Sequence, residues 1–192
     1  GGGRDLIWTG NQFVAPGADK LYISSNGLSW TLVATDTYYW HMSCAWSGSI
    51  AVVGKQDGYI ITSPDGVNWT SRGRPGTNTL LSGCWSGSLF CFVGNSGTVI
   101  TSPDGVNWTT RTSGTTATLR RVIWAGTQFV AVGESATIIT SPDGVNWTTR
   151  TSGTTGSLQG VAWSGTQFVA VGGRYTTNLF WTILTSPNGI TW

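Results

Sequence analysis

The segment Thr101 to Thr116 reads TSPDGVNWTTRTSGTT, and the same letters return from Thr140 to Thr155. Internal repetition of this kind sets the architecture before local propensity does. Working outward, Trp108 and Trp147 belong to a series Trp30, Trp69, Trp108, Trp147 and Trp192, with spacings 39, 39, 39 and 45. A second series, Trp8, Trp46, Trp85, Trp124 and Trp163, has spacings 38, 39, 39 and 39, and each of these Trp precedes a small residue and a Gly. Ten of the 12 Trp therefore mark a five-fold repeat.

Each unit reads as four short strands. In the fourth, these are Leu119 to Trp124, Gln128 to Val132, Thr137 to Thr140 and Val145 to Thr151. Tight turns fall at Ala125-Gly126 and Pro142-Asp143-Gly144, and a loop at Gly133-Glu134-Ser135. Val, Ile, Thr and Trp between Gly, Pro, Asp and Ser clusters are hairpin chemistry. No stretch carries a helical period. Four antiparallel strands per repeat describe an all-β chain, a five-bladed β-propeller, with large aromatics expected in the inter-blade core. The units fall at approximately 1–39, 40–78, 79–117, 118–156 and 157–192, in one domain. The expected ring is closed, opens at an innermost strand and ends early in an outermost one; the alternative is a fragment of a longer propeller, or one domain of a longer chain.

Composition narrows the function. Charged residues make up 9% of 192, against about 25% in ordinary soluble domains. Disorder is excluded by the aromatic content. The longest apolar runs, such as Leu89 to Val93, are far below the ~20 residues of a spanning helix. A net charge of +2 offers no broad face for nucleic acid. His41 is the one His and Glu134 the one Glu, beside two Lys and seven Asp. Cys44, Cys84 and Cys91 replace Val or Ile of other repeats and read as core, not as a disulfide framework or zinc site. Gly48 to Lys55 misses the phosphate-loop spacing by one residue. No cofactor or metal is expected, and the opening Gly1-Gly2-Gly3-Arg4 is not read as a secretory leader, which leaves the compartment open.

The segment Ser63-Pro64-Asp65-Gly66-Val67-Asn68-Trp69 recurs at Ser102 to Trp108 and Ser141 to Trp147, with Asn for Asp at Ser24 to Trp30 and Ser186 to Trp192. This resembles the Asp-box, or bacterial neuraminidase repeat, of sialidase-like propellers, shortened by one residue because Gly directly follows Asp or Asn. The resemblance spans all five units and implies blade architecture more than activity. Physically, Asp65, Asp104 and Asp143 read as turn residues whose carboxylates accept backbone hydrogen bonds. Asn at the two terminal units keeps those bonds without the charge, which favours a turn over a calcium site. Asn68, Asn107 and Asn146 head Asn-Trp-Thr sequons that follow from the repeat itself.

In propellers of this kind the two-to-three loops and inter-blade connections share the ligand face. The irregular residues fall there: Trp40, beside Tyr39 and His41, and a six-residue expansion from Gly173 to Trp181 that holds Arg174, Tyr175, Phe180 and Trp181. Two readings stand for Tyr39, Trp40, His41, Tyr175 and Trp181: sugar-stacking or protein-docking surfaces, or covers over the ends of neighbouring blades. For His41 the structural role is the simpler. Arg72, Arg111 and Arg150 recur on the outermost strands and protect edges. Arg4, Arg120, Arg121 and Arg174 are expected to form a cationic arc near the channel mouth, close to Glu134, that attracts an anionic group. Sialidases use three arginines on a carboxylate, but the Tyr, Glu and Asp of their chemistry find no match here. The expected function is a non-catalytic, extracellular propeller that binds glycans or a protein partner, with no membrane insertion. The alternatives are an assembly module, as in photosystem assembly factors built from similar repeats or in fibres and virions, and a sialidase-like glycosidase.

Overall fold

The computed structural model describes residues 5–35, 40–174 and 180–192, with backbone only for His41, Arg174 and Phe180. Among them are five antiparallel sheets in chain order. Sheet 1 holds β1 (Ile7–Trp8), β2 (Phe13–Pro16), β3 (Lys20–Ser24) and β4 (Thr31–Thr35). Sheet 2 holds β5 (His41–Trp46), β6 (Ala51–Lys55), β7 (Ile60–Ser63) and β8 (Thr70–Ser71). Sheet 3 holds β9 (Leu80–Trp85), β10 (Phe90–Gly94), β11 (Val99–Ser102) and β12 (Thr109–Arg111). Sheet 4 holds β13 (Leu119–Trp124), β14 (Phe129–Gly133), β15 (Ile138–Ser141) and β16 (Thr148–Arg150). Sheet 5 has three described strands, β17 (Ser157–Trp163), β18 (Phe168–Arg174) and β19 (Phe180–Ser186).

Each sheet is a meander of neighbouring strands, and the first strands β5, β9, β13 and β17 pack in succession along the inside. Alternation gives every strand two faces. One face, here called forward, meets the next sheet; the other meets the preceding one. Between sheets 4 and 5, Val130, Val132 and Ile138 of the forward face pack on Leu158, Val161, Phe168 and Ala170. Equivalent layers lie between sheets 1 and 2 around Val14, Leu21 and Val53, between sheets 2 and 3 around Val52, Ile60 and Phe92, and between sheets 3 and 4 around Val93, Val99 and Ala131.

The tryptophans flank this core instead of filling it. The fully buried aromatics are Phe90, Phe92, Phe129 and Phe168. Trp124 lies 4.6 Å and Trp147 6.2 Å from Phe129, and the same ladder recurs as Trp163–Phe168–Trp192. The indole N–H explains the rim position, because it needs an acceptor when covered. Trp147 Nε1 donates to the Gly144 carbonyl at 3.1 Å, and Trp108 to Gly105 at 3.0 Å.

Two further expectations change. The described ends of the expansion at Gly173 to Trp181 are strand: β18 runs to Arg174, β19 starts at Phe180, and Gly173 pairs with Trp181. Phe180, Trp181 and Thr182 are strand formers and extend the hairpin. The closed five-blade ring is not made either. Val171 and Ile183 on the forward face of sheet 5 are 43% and 71% exposed, whereas their repeat equivalents Val132 and Ile138 in sheet 4 are 0% exposed.

Candidate binding site at the channel mouth

The Asp turn builds the opposite rim and is purely architectural. Asp104 Oδ1 accepts from the backbone N–H groups of Val106 and Asn107, each at 2.8 Å, and Oδ2 accepts from Asn107 Nδ2 at 2.8 Å. Ser102 Oγ accepts from Gly105 N at 2.8 Å, and Gly105 takes a positive φ of 72°. These donors hold the Asp65, Asp104 and Asp143 carboxyls well below the usual range. At Asn26 and Asn188 the two backbone bonds persist, while the residue three positions on is Ser29 or Thr191 instead of Asn. Asn thus follows the box wherever a carboxylate offers a second oxygen.

On the other rim, a local device repeats. The N–H of Gln56, Asn95 and Glu134 donates to the carbonyls of Trp40, Thr79 and Thr118 at 2.8, 3.1 and 2.9 Å. A Cβ on Gly94 or Gly133 would collide with the Thr79 or Thr118 carbonyl oxygen as the backbone stands, whereas unit two makes the same contact with Lys55 in that place. Units two to four therefore present a common frame with side chains that differ. Together they line a cavity of about 490 Å³ with Trp40, Met42 and Gln56 from unit two, Leu81 and Asn95 from unit three, and Arg120 and Glu134 from unit four. Trp40, Met42 and Leu81 supply apolar surface; the other four are polar or charged.

Arg120 Nη2 pairs with Glu134 Oε1, while Arg120 Nε is buried and makes no hydrogen bond among the described residues. Arg121, the next residue, turns elsewhere: its Nη1 lies 3.3 Å from Asp5 Oδ1, and Asp5 Oδ2 accepts from Cys44 N at 2.9 Å. The bulge between Leu119 and Arg121 sends the two guanidiniums apart. The expected cationic arc is not assembled by these two residues, since each has its own carboxylate. Arg4, Tyr39 and Tyr175 lie outside the described residues, as do the side chains of His41 and Arg174. Trp40 is 48% exposed and belongs to the cavity, whereas Trp181, 80% exposed, stands on the open face of sheet 5. The two off-repeat Trp are therefore not partners in one site.

Sequence reasoning passed over Asp5, Met42 and Leu81. Aligning the units column by column is the signal that finds them: Met42, Leu81 and Arg120 share one column, and Asp5, Ser43, Ser82 and Arg121 another. Ser82 Oγ accepts from Val122 N at 3.1 Å as Asp5 does from Cys44, so that column ties each inner strand to the next.

The three cysteines behave as core atoms. Burial pushes the Cys44 and Cys91 thiols well up, with the Asp5 carboxylate adding to the effect at Cys44, and pushes Cys84 up to about 12.

No protein-family model and no curated protein matches the sequence. Solved structures do match the fold. The WD40 β-propeller domain of Doa1 has 13% identity and a TM-score of 0.71, covering 90% of this chain and 62% of that one. YCF48 bound to D1 peptide has 16% identity and a TM-score of 0.72, covering 98% and 66%. A chain of the mitotic checkpoint complex has 15% identity and a TM-score of 0.73, covering 96% and 65%. With the repeat geometry, these likenesses define the class: a β-propeller. The chain spans less than two thirds of each of these three.

Proposed function

We propose that this chain is a non-catalytic binding propeller of the Asp-box kind, which takes an extended protein segment at the mouth of its inner strands. The observation that carries this reading is the cavity itself: near-identical outer strands hold non-identical side chains over one concave surface. Trp40, Met42 and Leu81 suit an apolar side chain of the partner, and the partly exposed Arg120–Glu134 pair offers charge beside it. Glu134 is engaged by Arg120, which supports recognition over acid–base chemistry. Two of the similar structures are YCF48 bound to D1 peptide and a chain of the mitotic checkpoint complex, consistent with this use of the fold. The low charge and the Ser-, Thr- and Gly-rich surface suit an extracellular or surface-assembly setting. A second reading rests on Trp40, whose exposed indole beside the Gln56 and Asn95 amides is also sugar-binding chemistry.

Selection from a displayed random-peptide library, in parallel with a glycan array, tests both. Binders should weaken about tenfold or more in Trp40→Ala and Arg120→Ala. Peptides or glycans that bind both variants like wild type would place recognition elsewhere.

A further inference from the structure

The two ends of the array present faces that every interior unit covers. On the forward face of sheet 5, Val171, Ile183 and Trp181 are exposed, while the equivalents of the first two in sheet 4 are buried under sheet 5. On the back face of sheet 1, Leu6 is exposed and Phe13, Ala15 and Tyr22 are half-buried; the equivalents Val122, Phe129, Ala131 and Ile139 are fully covered. A second cavity of about 460 Å³ lies on that face against Ala15, Tyr22 and Trp30.

Two of the four interfaces, between units one and two and between units four and five, also carry a polar lock, where Ile50 and Leu89 take the same place at the other two. Gln12 Nε2 donates to the Asp65 carbonyl at 2.6 Å, and Gln128 Nε2 to the Asn188 carbonyl at 2.7 Å, each reaching from one unit to the turn of the next. Gly66 and Gly189 sit against those glutamines. Gln167 occupies the same place in unit five and is exposed, and Gly27 of unit one meets only its own Phe13. Both halves of an inter-blade contact are therefore present, on opposite ends of the array.

We propose that these end faces seat further blades of the same repeat, carried by the same polypeptide, which complete a larger ring. The established interfaces specify the occupant: a back face like Leu119, Val122, Phe129, Ala131 and Ile139 for sheet 5, and a forward face like Val130, Val132 and Ile138 for sheet 1. The 90% of this chain that matches covers 62% of the Doa1 WD40 propeller chain, which leaves room for about two more units. A second copy would bring five units to that gap and overfill it.

The test compares the chain extended by residues 148–156 alone, which supply the fourth strand that bonds the Ile183 and Thr185 amides, with the same chain extended further by two copies of residues 118–156. The shorter chain should bind a hydrophobic dye, and its Ile183 and Thr185 amides should exchange much faster than those of Ile138 and Thr140. In the further extended chain dye binding should fall to background and the two pairs should exchange alike. Ile183→Asp should leave the melting temperature of the shorter chain almost unchanged and lower that of the extended chain by about 5 °C or more. A second extension, with copies of residues 79–117, guards against one fusion failing to fold. The proposal is overturned if the shorter chain is a dye-silent monomer protected at Ile183. A dye-silent dimer in sedimentation would also overturn it, and so would two extended chains that both leave Ile183 unprotected.

Discussion

Replacing Asp104 by Ala removes four hydrogen bonds to one side chain, from Val106 N, Asn107 N, Asn107 Nδ2 and Ser102 Oγ. A bond to a charged group is worth about 1.5–3 kcal/mol when buried. This carboxylate stands at the surface, where screening cuts such contributions to a fraction of that, so about 1–2 kcal/mol in total is expected, similar to losing a helix cap. For a chain of this length that lowers the melting temperature by about 2–8 °C. Asp104→Asn keeps both backbone bonds, as Asn26 and Asn188 do, and should lose less than half as much. The effect also depends on pH. The folded-state pKa is lowered, so the stabilisation is complete above the ordinary carboxyl value of about 3.9 and drains away as pH falls below it toward the folded-state value. Melting of wild type, Asp104→Ala and Asp104→Asn, followed by tryptophan fluorescence at pH 7 and pH 3, checks the reasoning. The gap between wild type and Asp104→Ala should narrow at the lower pH. An Asn variant as unstable as the Ala variant, or a gap that does not change with pH, would refute it. Peptide binding at the mouth should be unaffected, since Asp104 belongs to the other rim.

Phe129→Ala should cost about 3–5 kcal/mol, because the ring is buried between Trp124 and Trp147, and chemical denaturation reads the loss. Gly133→Ala should abolish protection of the Glu134 amide in hydrogen exchange, since a Cβ there displaces the Thr118 carbonyl that this amide bonds. At pH 8 a thiol reagent should leave Cys44, Cys84 and Cys91 unmodified in the folded chain and titrate all three after unfolding, because burial holds each thiol protonated.

Strand order was legible because Trp, Gly and Asp recur at fixed spacing and each has a local job. The expected first strand of unit four, Leu119 to Trp124, is the observed β13. The cavity was legible only in outline. Trp40, Arg120 and Glu134 stood out as departures from the repeat, whereas Met42 and Leu81 look like ordinary strand residues until the bulges in β5 and β9 place them in the cavity wall. The partners of the arginines were hidden because Asp5 and Arg121 are 116 positions apart, and no local pattern joins them. Ring closure was hidden for a related reason. A repeat states how one unit packs on the next, but not the angle between them, and that angle decides whether five units meet.

The duplicated stretch from which the fold is read has a cost during folding. Strands β12 and β16 carry the same Thr-Thr-Arg, and in each the Arg Nε donates to a Thr Oγ1 of the neighbouring strand, at 2.9 Å for Arg111 and 2.8 Å for Arg150. Their partners β11 and β15 differ only by Val99 against Ile138. An emerging chain that lays β16 on β11 would satisfy the same ladder and the same arginine contact, with unit four looped out as a bystander. Ladder chemistry does not reject that mispairing. Rejection falls to the sides of the units that differ, Cys84, Cys91 and Phe92 against Ile123, Val130 and Ala131, which mesh with the neighbouring sheets in only one order. The variable inner strands thus act as the proofreading element of an otherwise ambiguous array.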